Sequence, residues 1–398
     1  MSFEKLALRP ETLRAIKEMG FTIPSPIQRE AIPILAQGAD LIGQAMTGSG
    51  KTAAFGIHII ETIDRRHHKP QALILAPTRE LAVQVTNELK TLSKYHHMSV
   101  VTIYGGASLN KQAEELSRGT NIVVGTPGRV LDMIGRGVLH LDEVKIAVLD
   151  EADRMLDMGF IDDVKEILSY TPKNRQTMLF SATMPDPIRD LAKHYMHAPE
   201  SLTVSTDAVP IDKIVQSFVL VERRKKFPVL LNILREKRPK LALIFTRTKF
   251  GADKLAHNLN HNRQHALVIH GDLSQRKRDQ AMDSFRHGHA GILVATDVAA
   301  RGIDVSGITH VINFDLPDDP NNYSHRVGRT ARAGAHGQAI SLVLPEQHKE
   351  LRDIQQMNCL KLKREMVRGC ITEEWHTDKK EKEKEVIHEF DDDMGVTY

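Results

Sequence analysis

At 398 residues the chain is longer than one compact core serves well, so two domains are expected. A hydrophobic share of 41% and a charged share of 26% are those of a soluble globular protein, and no apolar run is long enough to cross a bilayer. The formal net charge is only +3, which permits a nucleic-acid partner without demanding one, so any basic surface has to be local.

From Phe3 to about Ala36 the pattern is helical. Leu6, Leu13, Ile16 and Met19 recur at helical spacing before Gly20-Phe21 and the Pro24/Pro26 pair break the run. Leu41 and Ile42 then lead into Ala45-Met46-Thr47-Gly48-Ser49-Gly50-Lys51-Thr52, and an apolar helical pattern leads out through Ala53, Ala54, Ile57 and Ile60. Strand, glycine turn, helix is the setting of a phosphate-binding loop. Gly48 and Gly50 let successive N–H groups converge on one anion, and the helix start adds its positive dipole end. Lys51 is placed for the β- and γ-phosphates and the Thr52 hydroxyl for Mg²⁺. The generic pattern begins with glycine, where this chain has Ala45.

Beyond the loop, short apolar runs (Ala72–Ala76, Val100–Tyr104, Ile122–Gly125, Ile146–Leu149, Met178–Phe180) alternate with amphipathic helical stretches at Arg79–Tyr95, Lys111–Ser117 and Phe160–Tyr170. Such alternation implies a parallel sheet covered on both faces. Asp150-Glu151-Ala152-Asp153 follows one of these runs, at the carboxyl edge where parallel sheets bind ligands. Asp150 suits Mg²⁺ held through water, and Glu151 suits orientation and deprotonation of an attacking water. The pattern loosens around Ser201–Ile214, with residues 206–214 read as a linker, so the first domain spans 1–205. Strand–helix alternation then resumes over 215–366 with Val215–Val221, Leu241–Phe245, Ala266–Ile269, Gly291–Ala295, His310–Phe314 and Ala339–Leu344. This second domain has no phosphate loop and shows no sequence repeat of the first. Residues 367–398, with a charge run at Asp378–Glu385, read as an exposed or disordered tail in which Trp375 stands alone.

The tetrad Asp150–Asp153, taken with Pro24–Gln28, Ala45–Thr52, Pro77–Ala82, Gly105-Gly106, Thr126–Arg129, Ser181–Thr183, Leu243–Lys249, Gln275/Arg278, Ala295–Asp304 and His325–Arg332, resembles the DEAD-box RNA helicases in residues and in order. The resemblance implies an α/β protein of two tandem RecA-like domains that uses ATP and Mg²⁺ and acts on RNA. It implies that Phe21 stacks on adenine and Gln28 bonds its edge, with Phe3 as the upstream aromatic, and that Ala45, Thr47, Gly48, Ser49, Gly50, Lys51 and Thr52 surround the phosphates. Arg329 and Arg332 become arginine fingers, Asp304 a ribose or water contact, and Ser181, Thr183, Asp153 and His325 a network coupling hydrolysis to closure. RNA contacts are implied for Arg79, Gly105, Gly106, Thr126, Gly128 and Arg129, and for Thr248, Gly271, Gln275, Arg278 and Thr296. These are residue types that bind phosphate and sugar rather than bases, and with aromatics at 5% there is little for a base-stacking platform.

Two departures stand out. Met46 replaces the family's usual glutamine, and Ala331 replaces its usual glycine, where a methyl is compatible with a helix and favours it. The reading is an RNA-stimulated ATPase that locally unwinds short duplexes. An RNA clamp without unwinding fits the same motifs, and a DNA helicase is the weaker rival. Cys359 and Cys370 are too few for a disulfide framework or a zinc site, and no signal peptide precedes the first helix, so a monomeric core in the cytoplasm is expected.

Overall fold

A computed structural model describes residues 2–45, 48–203, 214–300, 305, 307–331, 336–358 and 360–371. The expectations for Met46, Thr47, Asp304, Arg332, Cys359 and Trp375 lie outside these residues, as do most of the linker and of the tail. Two compact units are present, the first holding the described residues up to Thr203 and the second those from Ile214.

The first unit is built on seven strands: β1 Leu41–Gln44, β2 Ala72–Leu75, β3 Val100–Ile103, β4 Ile122–Gly125, β5 Ile146–Asp150, β6 Gln176–Ser181 and β7 Glu200–Thr203. They pair in parallel in the order β3-β4-β2-β5-β6-β1-β7. Because side chains alternate between faces along a strand, each apolar run feeds two cores. Leu73, Leu75, Val123, Ala147 and Leu149 enter one cluster, and Ala72, Ile74, Ile122, Val124, Ile146 and Val148 the other. Burial on both faces explains why these strands read as continuous rather than alternating apolar runs.

The second unit repeats the plan. Its strands are β8 Ile214–Leu220, β9 Ala242–Phe245, β10 Ala266–Ile269, β11 Ile292–Ala295, β12 His310–Asn313, β13 Gly337–Val343 and β14 Lys363–Arg364. They run parallel in the order β10-β11-β9-β12-β13-β8-β14. Counted from the start of each unit this is the same order as in the first, so the kinship that the sequence hides is present in the topology. Both units are RecA-like α/β sheets.

Four expectations are corrected. Glu200–Thr203, placed at the start of the loosened segment, is edge strand β7 on β1; apart from Leu202, which packs against the cluster of Ala72 and Ile74, its side chains are exposed, so no apolar pattern marks it. Ile214, assigned to the linker, already begins β8. The packed chain also continues past Met366. Val367 is buried in the second core, Asn232 Nδ2 donates to the Arg368 carbonyl at 2.8 Å, and the Ile371 N–H donates to the Leu220 carbonyl at 2.9 Å. Finally, the helix Asn321–Val327 ends before Ala331, which is buried with φ +57°. Its methyl therefore sits in the left-handed region that favours glycine, and the helix-favouring argument does not apply.

Candidate functional site

In the first unit the expected nucleotide residues gather at the carboxyl ends of β1, β5 and β6, three adjacent strands. Gly50 precedes the helix Lys51–Thr62 with φ +92°, and Gly48 has φ +87°. A Cβ on Gly50 would lie 2.5 Å from Gln28 Nε2, so the backbone angle favours glycine and a side chain there would also displace the Gln28 amide. Gln28 spends its amide locally, donating to the Gly50 carbonyl at 3.1 Å and accepting from the Ser25 N–H at 3.0 Å. It thereby ties the helix Pro26–Ala36 to the loop. Lys51 donates to the Ala45 carbonyl at 2.9 Å and lies 3.9 Å from Asp150 Oδ1, with both side chains buried. Phe21 and Phe3 pack together on the cluster of Ile16, Ile32 and Ile57, Phe3 deeply and Phe21 in part.

Asp150 closes β5. Burial pushes its carboxyl up to about 6, against the pull of Lys51. Oδ1 of Asp150 and Oγ of Ser49 are buried without a hydrogen-bond partner. An orphaned carboxylate oxygen beside an ammonium, with the half-buried Thr52 one residue on from Lys51, fits a magnesium–phosphate group: hard oxygen donors and a charge that repays the desolvation. Glu151 is buried with φ +55°, an uncommon angle for a residue other than glycine, and accepts from Arg154 Nη1 at 2.6 Å. Asp153, Ser181 and Thr183 are joined. Ser181 Oγ accepts from the Asp153 N–H at 3.1 Å, and Asp153 Oδ2 accepts from the Ala182 N–H, Thr183 N–H and Thr183 hydroxyl at 2.9–3.1 Å.

The expected RNA residues of this unit occupy the other half of the edge, behind β2, β3 and β4. Gly105, Gly106 and Gly128 are exposed with open space around them, and Thr126 immediately precedes the helix Pro127–Gly135 without a side-chain capping bond. The two arginines also make contacts within the unit. Arg79 stacks on the Tyr104 ring at 4.4 Å, and Arg129 donates to the Ala107 carbonyl at 3.3 Å and to Gln112 Oε1 at 3.2 Å. Gln112 in turn bonds both backbone groups of Tyr104. Together they brace the loop 104–107 that carries the glycine pair.

The second unit distributes its candidates on the corresponding strands. Thr248 follows β9, accepting from the Gly251 N–H at 3.0 Å; Gly271, Gln275 and Arg278 follow β10; Thr296, buried, follows β11. Gln275 donates to Asp279 and accepts from Arg278. His325 and Arg329 lie on and just after the helix Asn321–Val327, behind β12; Arg329 is buried and its Nε donates to the His325 carbonyl at 3.2 Å.

The model of the DEAD/DEAH box helicase matches residues 25–191, and that of the helicase conserved C-terminal domain matches 225–334. The DEAD-box ATP-dependent RNA helicase CshA of Geobacillus kaustophilus is 48% identical over 91% of this chain and 78% of its own length. Its namesake from Listeria monocytogenes is 45% identical over 98% and 78%. The chain belongs to the DEAD-box family of ATP-dependent RNA helicases. Among solved structures, S. cerevisiae Dbp5 bound to RNA and ADP BeF3 superposes with a TM-score of 0.84 at 34% identity, covering 98% of this chain and 99% of that one. A DEAD box protein from Methanococcus jannaschii is 43% identical over 92% and 99%, with a TM-score of 0.54.

Against this DEAD-box frame, two arginines passed over in the sequence prove central. Arg154 is buried and holds the Glu151 carboxylate; its signal was a Glu three residues before an Arg at a helix start. Arg326 grips Asp297 with two bonds at 2.6 and 2.7 Å, donates to Asn313 Oδ1 and the Asp315 carbonyl, and lies over Phe245. It stands between His325 and Arg329, and nothing local in the sequence shows that it faces inward. Among the described residues no helix is long and apolar enough to span a membrane.

Proposed function

We propose that this DEAD-box helicase grips RNA without reading its sequence, hydrolyses ATP in response to RNA, and locally opens short duplexes or remodels RNA–protein complexes. The observation that carries the proposal is the division of the carboxyl edge of the first unit. A buried Lys51–Asp150 pair with orphaned oxygens lies behind β1, β5 and β6, and exposed glycines on a braced loop lie behind β2, β3 and β4. The first arrangement suits a triphosphate and the second a ribose–phosphate strand approached by backbone N–H groups.

In this reading Lys51, Ser49 and the backbone of Gly48 and Gly50 hold the phosphates, while Phe21 and the free valences of Gln28 face the base. Thr52 and Asp150 hold Mg²⁺, which supplies charge neutralisation between phosphates when bound. Glu151 takes the proton from the attacking water, and its pairing with Arg154 keeps the carboxylate aimed. Arg329 and Arg332, with their permanent planar charge, offset the charge that develops on the leaving phosphoryl group, and Asp304 contacts the ribose or the water. Asp153, Ser181, Thr183 and His325 relay the loss of phosphate to the RNA grip by exchanging hydrogen bonds. RNA and ATP each favour the same conformational state, so by linkage each strengthens the binding of the other.

The test is ATP hydrolysis with and without single-stranded RNA, beside strand displacement on a short duplex. RNA-stimulated hydrolysis with strand release is expected. ATP-dependent RNA retention without release makes the protein a clamp, and equal stimulation by DNA of the same sequence removes the RNA preference.

A further inference from the structure

We propose that the second unit carries a nucleotide site of its own, in the recess at the carboxyl ends of β8, β9 and β12. The recess has a volume of about 550 Å³, within the range of roughly 300–1,000 Å³ typical of small-molecule sites. In the shared strand order β8 stands where β1 does and β12 where β5 does. The parallel extends to side chains. Lys51 opens the helix after β1 and faces Asp150 at the end of β5; Lys226 opens the helix Lys226–Lys237 after β8 and faces Asp315, just past β12, at 2.5 Å. The chain leaves β8 and re-enters the sheet at β9, on the far side of β12 and β13, so this is a topological switch point, where open parallel sheets bind ligands.

The lining has the two parts a nucleotide needs. Five basic side chains face three acidic ones across it. Two of the acids are engaged, Asp315 by Lys226 and Glu346 by Arg223 at 2.8 Å. Arg247 is held by Asp318 at 2.9 Å, so Arg224 and Lys254, exposed and without an ion-pair partner among the described residues, face the remaining acid, Glu350, and leave one net positive charge. Phe227 and Phe314 supply flat apolar wall, with the Lys226 ammonium 4.6 Å from the centre of the Phe314 ring. A phosphate at Arg224 and Lys254 with a base against the phenylalanines satisfies both halves. The glycine turn of the first unit has no counterpart here, since Glu222-Arg223-Arg224-Lys225 occupies its place. The grip is therefore by side chains, which suits one phosphate rather than a triphosphate. That nucleotide has two sources: a free mononucleotide, or one residue of bound RNA, since Thr248 also lines the recess. Only the second source rests on the RNA reading above.

The test uses the full chain, photolabelled either with azido-adenosine monophosphate or with a thiouridine-substituted single-stranded RNA, and the labelled peptides mapped by mass spectrometry. Label is expected on peptides containing Phe227 or Phe314, competed by unlabelled AMP in the first case. It should fall roughly tenfold or more when Arg224→Glu and Lys254→Glu are combined, with the circular dichroism spectrum unchanged. Label from the mononucleotide identifies a free-ligand site, and label from RNA alone identifies an extension of the RNA track. Absence of label from both probes, or label that survives both charge reversals, overturns the proposal. RNA-stimulated ATP hydrolysis is measured on the same preparations. An active enzyme with an unlabelled recess refutes this inference alone, whereas an inactive one refutes the functional reading.

Discussion

Lys51 and Lys226 begin equivalent helices on equivalent strands of two sheets with one strand order, and each faces an aspartate from the strand two places away. Their surroundings differ. Around Lys51 the chain turns on Gly48 and Gly50, leaving Asp150 Oδ1 and Ser49 Oγ buried without partners. Around Lys226 a short 3-10 turn of Arg223–Lys225 leads in, and Asp315 is satisfied by Lys226 and the Arg247 N–H. One pair is a held-open site and the other closes on itself. The RecA-like scaffold supplies two edges, and in the proposed reading a few loop residues decide which edge can receive a triphosphate.

That contrast breaks most visibly at the lysines. Lys51→Ala should lower RNA-stimulated ATP hydrolysis by about a hundredfold or more, as expected for a phosphate-stabilising cation, measured on protein whose circular dichroism shows the fold intact. Lys226→Met should act on stability, lowering that of the second unit by about 2 kcal/mol, short of the full penalty for a buried pair because Asp315 keeps some solvent access; a melting curve with and without the substitution checks it. A smaller effect sharpens the RNA half of the comparison. Arg129→Ala releases the loop 104–107 and should raise the RNA concentration for half-maximal ATPase stimulation by roughly tenfold, the worth of a charged hydrogen bond. Ala331→Gly should stabilise the second unit by about 0.5–1 kcal/mol, because glycine relieves the left-handed backbone while loosening the unfolded chain.

The smallest effect separates the units by pH. Burial lowers the pKa of His58 and His96 in the first unit and of His310 in the second. As pH falls below about 6.5, the ordinary histidine value, the unfolded chain binds these protons first, so stability is lost, and with two such groups the first unit loses more. The carboxyl of Asp150, raised to about 6, takes up its proton in the folded state around that pH and works the other way. Hydrogen exchange compared between about pH 7.5 and 6.5, above most of that uptake and where the histidines begin to charge, should therefore show the first unit loosening faster than the second.

Much of this was legible in the chain because it depends on local chemistry. A glycine turn between strand and helix, and an acidic pair ending an apolar run, declare themselves through spacing, and the observed strands lie within a few residues of the apolar runs. What was hidden depends on pairing and direction. Strand β7 joins the sheet chiefly through its backbone, with Leu202 half-buried against the core, and Lys363–Arg364 forms β14 with two charged residues. Arg79 and Arg129 have the composition of RNA contacts, yet their guanidinium groups hold up a loop; Arg154 and Arg326 resemble solvated charges, yet both are buried. Ala331 showed its identity but not its φ. An arginine does not reveal in sequence which way it points.

The most direct measurement of the divided edge is photocrosslinking of the first unit within the full-length protein, using azido-ATP and thiouridine-substituted RNA together and mapping each label to peptides. ATP label confined to segments around Phe21–Gln28 and Gly48–Thr52, with RNA label confined to those around Arg79, Gly105-Gly106 and Thr126–Arg129, is the predicted result. RNA label at the glycine turn, or ATP label behind β3 and β4, would contradict it.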